Sequence, residues 1–175
     1  MSTVDSAAVP VIIRTGQVET LASEMVTAHL LADASATGHA LSSLRVKLHR
    51  GADGAAPHRH RRSSELFYVL GGTVQLLAGP DVLTATRGEL IVVPPGVPHA
   101  FAAPPGAGTE LLIVITPGVE RFEYFRHLAR IARGEQPPAS LLTVQERYDT
   151  HFCDSPPWQA ARAATSIPAR PEPRR

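Results

Sequence analysis

The sequence predicts an all-β domain, an antiparallel sandwich or closed barrel, followed by a helical extension. Three observations carry this reading. Between residues 11 and 118 the apolar residues fall in short runs, many of them rich in β-branched and aromatic types, punctuated by Gly and Pro. From residue 119 the apolar spacing changes to that of a helix. At 175 residues, with 43% hydrophobic and 19% charged, the chain has the size and composition of one compact domain with trimmings.

In chain order, residues 1–10 are small and polar, end in Pro10 and read as a flexible N-terminal arm. Strands are predicted over 11–14, 25–32, 40–49, 65–70, 73–78, 82–86, 90–93, 99–102 and 110–115. Gly71-Gly72 between two of these runs reads as a tight hairpin. Gly79-Pro80-Asp81, Arg87-Gly88 and Pro94-Pro95-Gly96 read as further turns. Many short strands at this spacing favour a sandwich or barrel.

After Pro117-Gly118, residues 119–134 have helical periodicity, with Phe122, Phe125, Leu128, Ala129 and Ala132 on one stripe. Glu120 and Glu123 lie near its start, Arg130 and Arg133 near its end, and Gly134 supplies a C-terminal stop. The stripe is expected to pack on the outside of the barrel. Gln136-Pro137-Pro138 reads as a linker, and Thr143 to Glu146 matches a capping box for a short second helix. Pro156-Pro157-Trp158 is expected to dock an extended tail, which becomes disordered over 161–175, where Pro and Arg accumulate. The expected organisation is therefore an arm over 1–10, a barrel over 11–118, a helical segment over 119–160 packing on the barrel, and a tail.

Composition narrows the function. Seventeen basic and sixteen acidic residues give a formal charge of +1, which points to no polyanionic partner and so to no nucleic acid. Cys153 is the single cysteine, which excludes an internal disulfide and a thiolate metal cluster. The first residues lack a basic region and no apolar run approaches about 20 residues, so neither a signal peptide nor a membrane span is predicted. The expected location is cytoplasmic.

The chemistry concentrates in two segments. His58-Arg59-His60 places two imidazoles on one side of a strand, because residues two apart share a face. Glu65 opens the apolar run Leu66 to Leu70, where an unpartnered carboxylate facing the core is costly. His99 follows Gly88 to Pro98 in the second segment. A divalent cation held by His58, His60, Glu65 and His99 removes that cost and uses the imidazoles as neutral donors. Each piece also has a plainer reading: an exposed basic loop over 58–62, a polar strand start at Glu65, and two ordinary turns over 88–96. His29, His39, His49, His127 and His151 read as surface or hydrogen-bonded residues. Both halves in order, at suitable spacings, favour the metal.

These segments resemble the paired motifs of the cupin superfamily. His58-x-His60-x₄-Glu65-x₆-Gly72 fits the first, with Gly51 one residue further upstream than usual. Gly88-x₅-Pro94-x-Gly96-x₂-His99 fits the second, except that Ala103 replaces the final Asn, which is not a usual metal ligand. The resemblance implies a single cupin jelly-roll barrel, the four motif residues as ligands of one divalent metal (Ni, Fe, Co or Mn, with Zn or Cu as further candidates), and a homodimer. The sequence from Pro117 to Phe122, the helix it opens, Val144 to Phe152, and Trp158 are similar to small bacterial quercetin dioxygenase-like cupins.

That narrower resemblance implies an oxidoreductase, a metal-dependent dioxygenase that uses O₂ to cleave a flavonol or related aromatic enol, releasing carbon monoxide from a flavonol. Glu65 would be the catalytic base as well as a ligand, by analogy with the ligand carboxylate of the related enzymes. Strand alternation turns Phe67 and Val69 inward with Glu65, and Phe101 and Ala103 inward with His99, either as a substrate-binding wall or as plain barrel core. Arg59, Arg61 and Arg62 read as attractors of an anionic substrate or as solvated loop charges. The alternative enzyme is a metal-dependent cyclase, isomerase or dehydratase of a polyketide-like small molecule, often with Zn and without O₂. A non-enzymatic small-ligand sensor and a storage protein are weaker readings, because the helical segment of about 40 residues after the barrel has an amphipathic helix, not a basic one for DNA, and storage has no use for an open metal site.

Overall fold

The computed structural model describes residues 10–165, which fold as a jelly-roll barrel of antiparallel strands with helices after it. The strands are β1 (Glu19–Ala22), β2 (Val26–Ala32), β3 (Ser42–Leu48), β4 (His58–Arg59), β5 (Ser64–Ala78), β6 (Asp81–Thr86), β7 (Leu90–Val93), β8 (His99–Ala102), β9 (Thr109–Thr116) and β10 (His151–Phe152). One face of the barrel runs β1-β2-β3-β9-β5-β7 and the other β6-β5-β8-β4-β10. The predicted strands at 90–93 and 99–102 match β7 and β8 at both ends, and most others agree within two residues.

Strand β5 belongs to both faces. Residues 64–72 pair with β9, whereas 73–78 pair with β6. Gly71-Gly72 is therefore not a hairpin but follows a bulge at Leu70 inside one 15-residue strand, where the register with β9 shifts between Val69 and Gly71. Gly72 sits at φ +70°, and a Cβ there would lie 2.0 Å from the Gly108 carbonyl oxygen. The glycines bend the strand from one sheet to the other instead of reversing it, as bulges do at barrel rims.

Between the faces lies one apolar core that includes Leu44, Val46, Leu48, Phe67, Val69, Val74, Leu76, Phe101, Leu111 and Ile113. Alternation along β5 turns Glu65, Phe67 and Val69 into the barrel together, as the sequence predicts. All four residues of β8 are buried, because its outer face is covered too: Trp158 packs on Leu77, Ala100 and Ala102.

Several expectations change. Residues 11–14 form no strand and leave Val11, Ile12 and Ile13 exposed; the edge strand β1, polar and without alternation, takes that place. Helix α1 is shorter than predicted, Phe122–Ala132, and its buried positions are Tyr124 and His127, not the Phe-Leu-Ala stripe. Phe125 reaches the inner core, but Ala132 is exposed. Arg, Tyr and His have apolar bodies that tolerate burial when their polar ends find partners, which periodicity of apolar residues alone does not register. The capping box is not formed: Thr143 Oγ1 donates instead to the Ser140 carbonyl at 2.9 Å, within a 3₁₀ segment (Pro138–Val144) that precedes α2 (Gln145–Tyr148).

The chain after Ser155 is not an extended tail. Pro156–Thr165 form helix α3, so residues 161–165 are helical where disorder was expected. Arg162 donates to Asp53, Gln75 and the carbonyls of Gly51 and Ala103, which fastens the helix to the loop ahead of β4. Pro at the first turn is compatible with a helix start, and a buried Trp one turn in holds it down. The predicted arm, apart from Pro10, and the tail from residue 166 lie outside the described residues. Among the described residues no helix is long and apolar enough to cross a membrane.

Candidate metal centre

Three strand segments bring the four predicted ligands to one point inside the barrel. His58 lies on β4, opposite His99 on β8, and His60 follows just past the end of β4. Glu65 enters from β5. Their ligand atoms all lie within 4.8 Å of one another, and no member is more than 4% exposed. Oε2 of Glu65 is the hub, 2.6 Å from Nε2 of His99, 3.1 Å from Nε2 of His60 and 3.8 Å from Nε2 of His58.

The outer nitrogen of each imidazole is committed to a backbone carbonyl. Nδ1 of His58 donates to Ala56 at 2.8 Å, Nδ1 of His60 to Asp149 at 2.5 Å, and Nδ1 of His99 to Val97 at 2.9 Å. A carbonyl only accepts, so Nδ1 carries the proton and the neutral ring presents a lone pair at Nε2. Three such lone pairs and a carboxylate oxygen facing one another repel unless a cation lies among them. The donor set thus fits a divalent ion, with the second-sphere hydrogen bonds that orient metal-binding histidines.

Electrostatics agree. Burial, and then the neighbouring His99, push the His58 imidazole well below its ordinary pKa, which favours its neutral form. Burial alone would raise the Glu65 carboxyl, but the hydrogen bonds and positive charge that protonated His60 and His99 supply where no cation lies among them outweigh it and hold the group well below the usual carboxylate range. The centre keeps an anion and is built to attract positive charge. Three imidazoles and a carboxylate could hold one metal ion of several kinds and leave a coordination position for a small molecule.

The predicted wall residues fall on the same side. Phe67, fully buried, has its ring centroid 6.1 Å from that of His99 and 5.5 Å from that of Phe101. Phe101, Val69 and Ala103 are buried in the apolar core cluster with it. Arg61 and Arg62 are solvent-exposed loop charges that also find partners: Arg61 pairs with Glu146 at 2.6 Å, and Arg62 donates to the Glu146 carbonyl. His127 and His151 are buried, His127 hydrogen-bonded to Ser140 and His151 beside Glu146 and Asp149.

Two neighbours of the centre had no role assigned from the sequence. Asp149, at φ +49°, offers its carbonyl to His60 and its carboxylate to the backbone N–H groups of Arg61, Arg62 and Ser63. Arg121, 5% exposed, places Nη1 3.4 Å from Nε2 of His60 and stacks its guanidinium against Tyr124 and Phe125. Both lie in segments that the family resemblance singled out, but nothing in their local spacing marks them as neighbours of the histidines.

No curated protein matches the chain by sequence. Solved structures match the barrel. An RmlC-like cupin from Shewanella frigidimarina is 25% identical with a TM-score of 0.53, covering 62% of this chain and 92% of its own. The polyketide cyclase RemF from Streptomyces resistomycificus is 21% identical with a TM-score of 0.53, covering 62% and 80%. Streptomyces Pac13 with uridine, described as a nucleoside dehydratase, is 17% identical with a TM-score of 0.53, covering 65% and 87%. Residues 44–115, from β3 to β9 and including all four converging side chains, match the cupin domain family, so the barrel of this chain is a cupin domain.

Proposed function

We propose that this protein is a metal-dependent cupin enzyme of the quercetinase-like type, a dioxygenase that cleaves a flavonol or related aromatic enol. The observation that carries a metal enzyme is the convergence of four buried ligand atoms whose Nδ1 partners leave every Nε2 turned inward. His58, His60 and His99 hold the metal with Glu65 as the fourth ligand. A divalent ion bound there supplies Lewis acidity that lowers the pKa of a coordinated hydroxyl, and a redox-capable one supports reaction with O₂. Glu65, the only carboxylate among the four ligands, accepts the substrate hydroxyl proton. Phe67 beside His99, with Phe101, Val69 and Ala103 behind it, forms the apolar wall that receives the aromatic part of the substrate and keeps water out.

A second reading has its own support. The fold neighbours named above include a polyketide cyclase and a nucleoside dehydratase, and a cation held by this chain's four ligands would also suit a cyclase, isomerase or dehydratase, by polarising a carbonyl without O₂. We read the chain as acting in the cytoplasm as a homodimer. Oxygen uptake by protein reconstituted separately with Fe, Ni, Co, Mn and Zn, over a panel of flavonols and related enols, separates the two readings. Uptake matched to substrate loss and dependent on a redox-capable metal supports the dioxygenase. Substrate turnover with Zn and no oxygen consumption replaces it with the second reading.

A further inference from the structure

Arg121 is the buried cation that neither the ligand set nor the fold accounts for. Its position is fixed from outside the site. The Asp33 carboxylate accepts the backbone N–H of Arg121 at 2.7 Å and of Phe122 at 3.1 Å, so a residue at the end of the β2 side caps the start of α1. That cap aims the Arg121 side chain inward, between the rings of Tyr124 and Phe125 at 5.3 and 5.5 Å, with Nη1 3.4 Å from Nε2 of His60.

A guanidinium always carries its charge. None of the ion pairs among the described residues involves Arg121, and its Nε is buried with no hydrogen-bond partner. Burying a cation in this way is unfavourable, and placing a metal ion beside the same histidine adds like-charge repulsion. Both penalties vanish if a negative oxygen lies between the guanidinium and the metal. A planar fork of N–H donors bonds a carboxylate or an enolate about twice as strongly as a neutral carbonyl, and only the anion offsets the charge.

We infer that Arg121 is the anion-binding residue of the substrate site, and that the substrate presents a carboxylate or enolate oxygen to its guanidinium while a neighbouring oxygen takes the metal position. This rests on the metal reading of the site proposed above. It narrows the substrate class to small molecules with two adjacent oxygens of which one is anionic, such as 2-hydroxycarboxylates, 2-hydroxybenzoates and ionised enols. The exposed loop arginines do not fill this role, since Arg61 and Arg62 are tied to the 146–149 segment.

The test is calorimetric titration of Zn-loaded protein with glycolate and with salicylate, each against its uncharged amide, with metal content measured on the same samples. Wild-type protein is expected to bind at least one of the acids about tenfold or more tightly than its amide. Arg121→Gln should lose that preference with metal content unchanged, and Arg121→Lys, which keeps the charge but not the fork, should recover part of it. Full metal content in Arg121→Gln with undiminished acid binding overturns the assignment, as does full metal in the wild type with no preference for either acid. Loss of metal from both Arg121 variants overturns it too, because Arg121 would then be holding the metal site together. Absence of metal from the wild-type protein overturns the metal reading itself, and the inference with it.

Discussion

The backbone carbonyl of Asp149 accepts the Nδ1 proton of His60 at 2.5 Å, across 89 residues of sequence. The Asp149 carboxylate meanwhile accepts the N–H groups of Arg61 and Arg62 at 2.9 and 3.0 Å, and of Ser63 at 3.3 Å. One residue outside the barrel therefore holds both the ring of a candidate ligand and the turn that connects it to Glu65. Strand β10 continues this clasp by pairing with β4, His151 opposite Arg59 and Phe152 opposite His58. The segment after α1 is thus part of the site, not an appendage to it.

Asp149→Ala should destabilise the fold by about 2 kcal/mol, since three backbone N–H groups, that of Ser63 buried, lose a charged acceptor. It should also weaken metal binding, by up to roughly 10-fold, because the carboxylate holds in place the backbone carbonyl that orients His60, a carbonyl the substitution itself keeps. Asp149→Asn keeps an acceptor oxygen and tolerates the left-handed backbone at this position, so it should fall between the two. Denaturant unfolding and a competitive chelator titration measure both effects. Equal metal affinity in the alanine variant and the wild type would show that the clasp does not orient His60.

Removing a ligand should have a sharper effect than removing its support. His60→Ala and His99→Ala each delete an Nε2 that lies within 3.1 Å of Glu65 Oε2, and bound metal should fall well below one ion per chain. A metal at 100 times its dissociation constant stabilises a fold by about 2.7 kcal/mol, so the melting temperature of the wild type should rise on metal addition and drop on chelation. Neither variant should show the rise. Glu65→Gln keeps an oxygen donor and should retain part of the metal while losing turnover. Full metal content in both histidine variants would exclude the four-ligand site, and normal turnover by Glu65→Gln would remove its role as base.

The barrel and its histidines were legible in the sequence because each rests on a local pattern. Two-residue alternation places Glu65, Phe67 and Val69 on one side without knowledge of the fold, and His-x-His does the same for His58 and His60. What the pattern hides is long-range. Strands β4 and β10 are two residues each, too short for periodicity, and are defined by partners distant in sequence, β4 by β8 and β10, and β10 by β4. Arg121 and Asp149 reach the histidines through chain reversals of 61 and 89 residues, and an Arg or Asp in a polar segment reads as solvated until its partners are known. Gly71-Gly72 was misread for a related reason: glycine pairs serve hairpins and bulges alike, and the choice depends on β9, which arrives some 40 residues later.

Exposed apolar side chains on one face supply a test of the homodimer. Tyr68 and Leu70 of β5 and Leu90 and Val92 of β7 are 38%, 36%, 55% and 55% exposed, and Tyr68 sits directly opposite Leu90. Strand β7 pairs only with β5 among the described residues, so its other edge is open. An open edge beside exposed apolar side chains suits association with a second copy of the same surface. Val92→Asp should shift the protein from dimer to monomer in sedimentation velocity and leave the metal content of the monomer intact. A wild-type protein that sediments as a monomer at every concentration would remove the dimer from the proposal.

The bend in β5 gives the last prediction and a control for it. Gly72→Ala asks an L-residue to adopt φ +70° with its Cβ 2.0 Å from a backbone oxygen, and backbone cannot swing aside as a side chain can. The expected loss is about 3 kcal/mol, near the upper end for single substitutions. Gly71→Ala meets nothing closer than 3.8 Å, the Glu110 side chain, and its φ is not positive, so it should change stability by less than about 1 kcal/mol. The pair isolates the bend from glycine content, because both changes add one methyl group to adjacent positions. Because residues 64–72 carry Glu65 and 73–78 pair with β6 and β8, a strained bend should also loosen the register between Glu65 and His99. Gly72→Ala should therefore weaken metal binding as well as lower the melting temperature, and Gly71→Ala should do neither. If the two variants melt alike, β5 does not depend on Gly72 to cross from one sheet to the other.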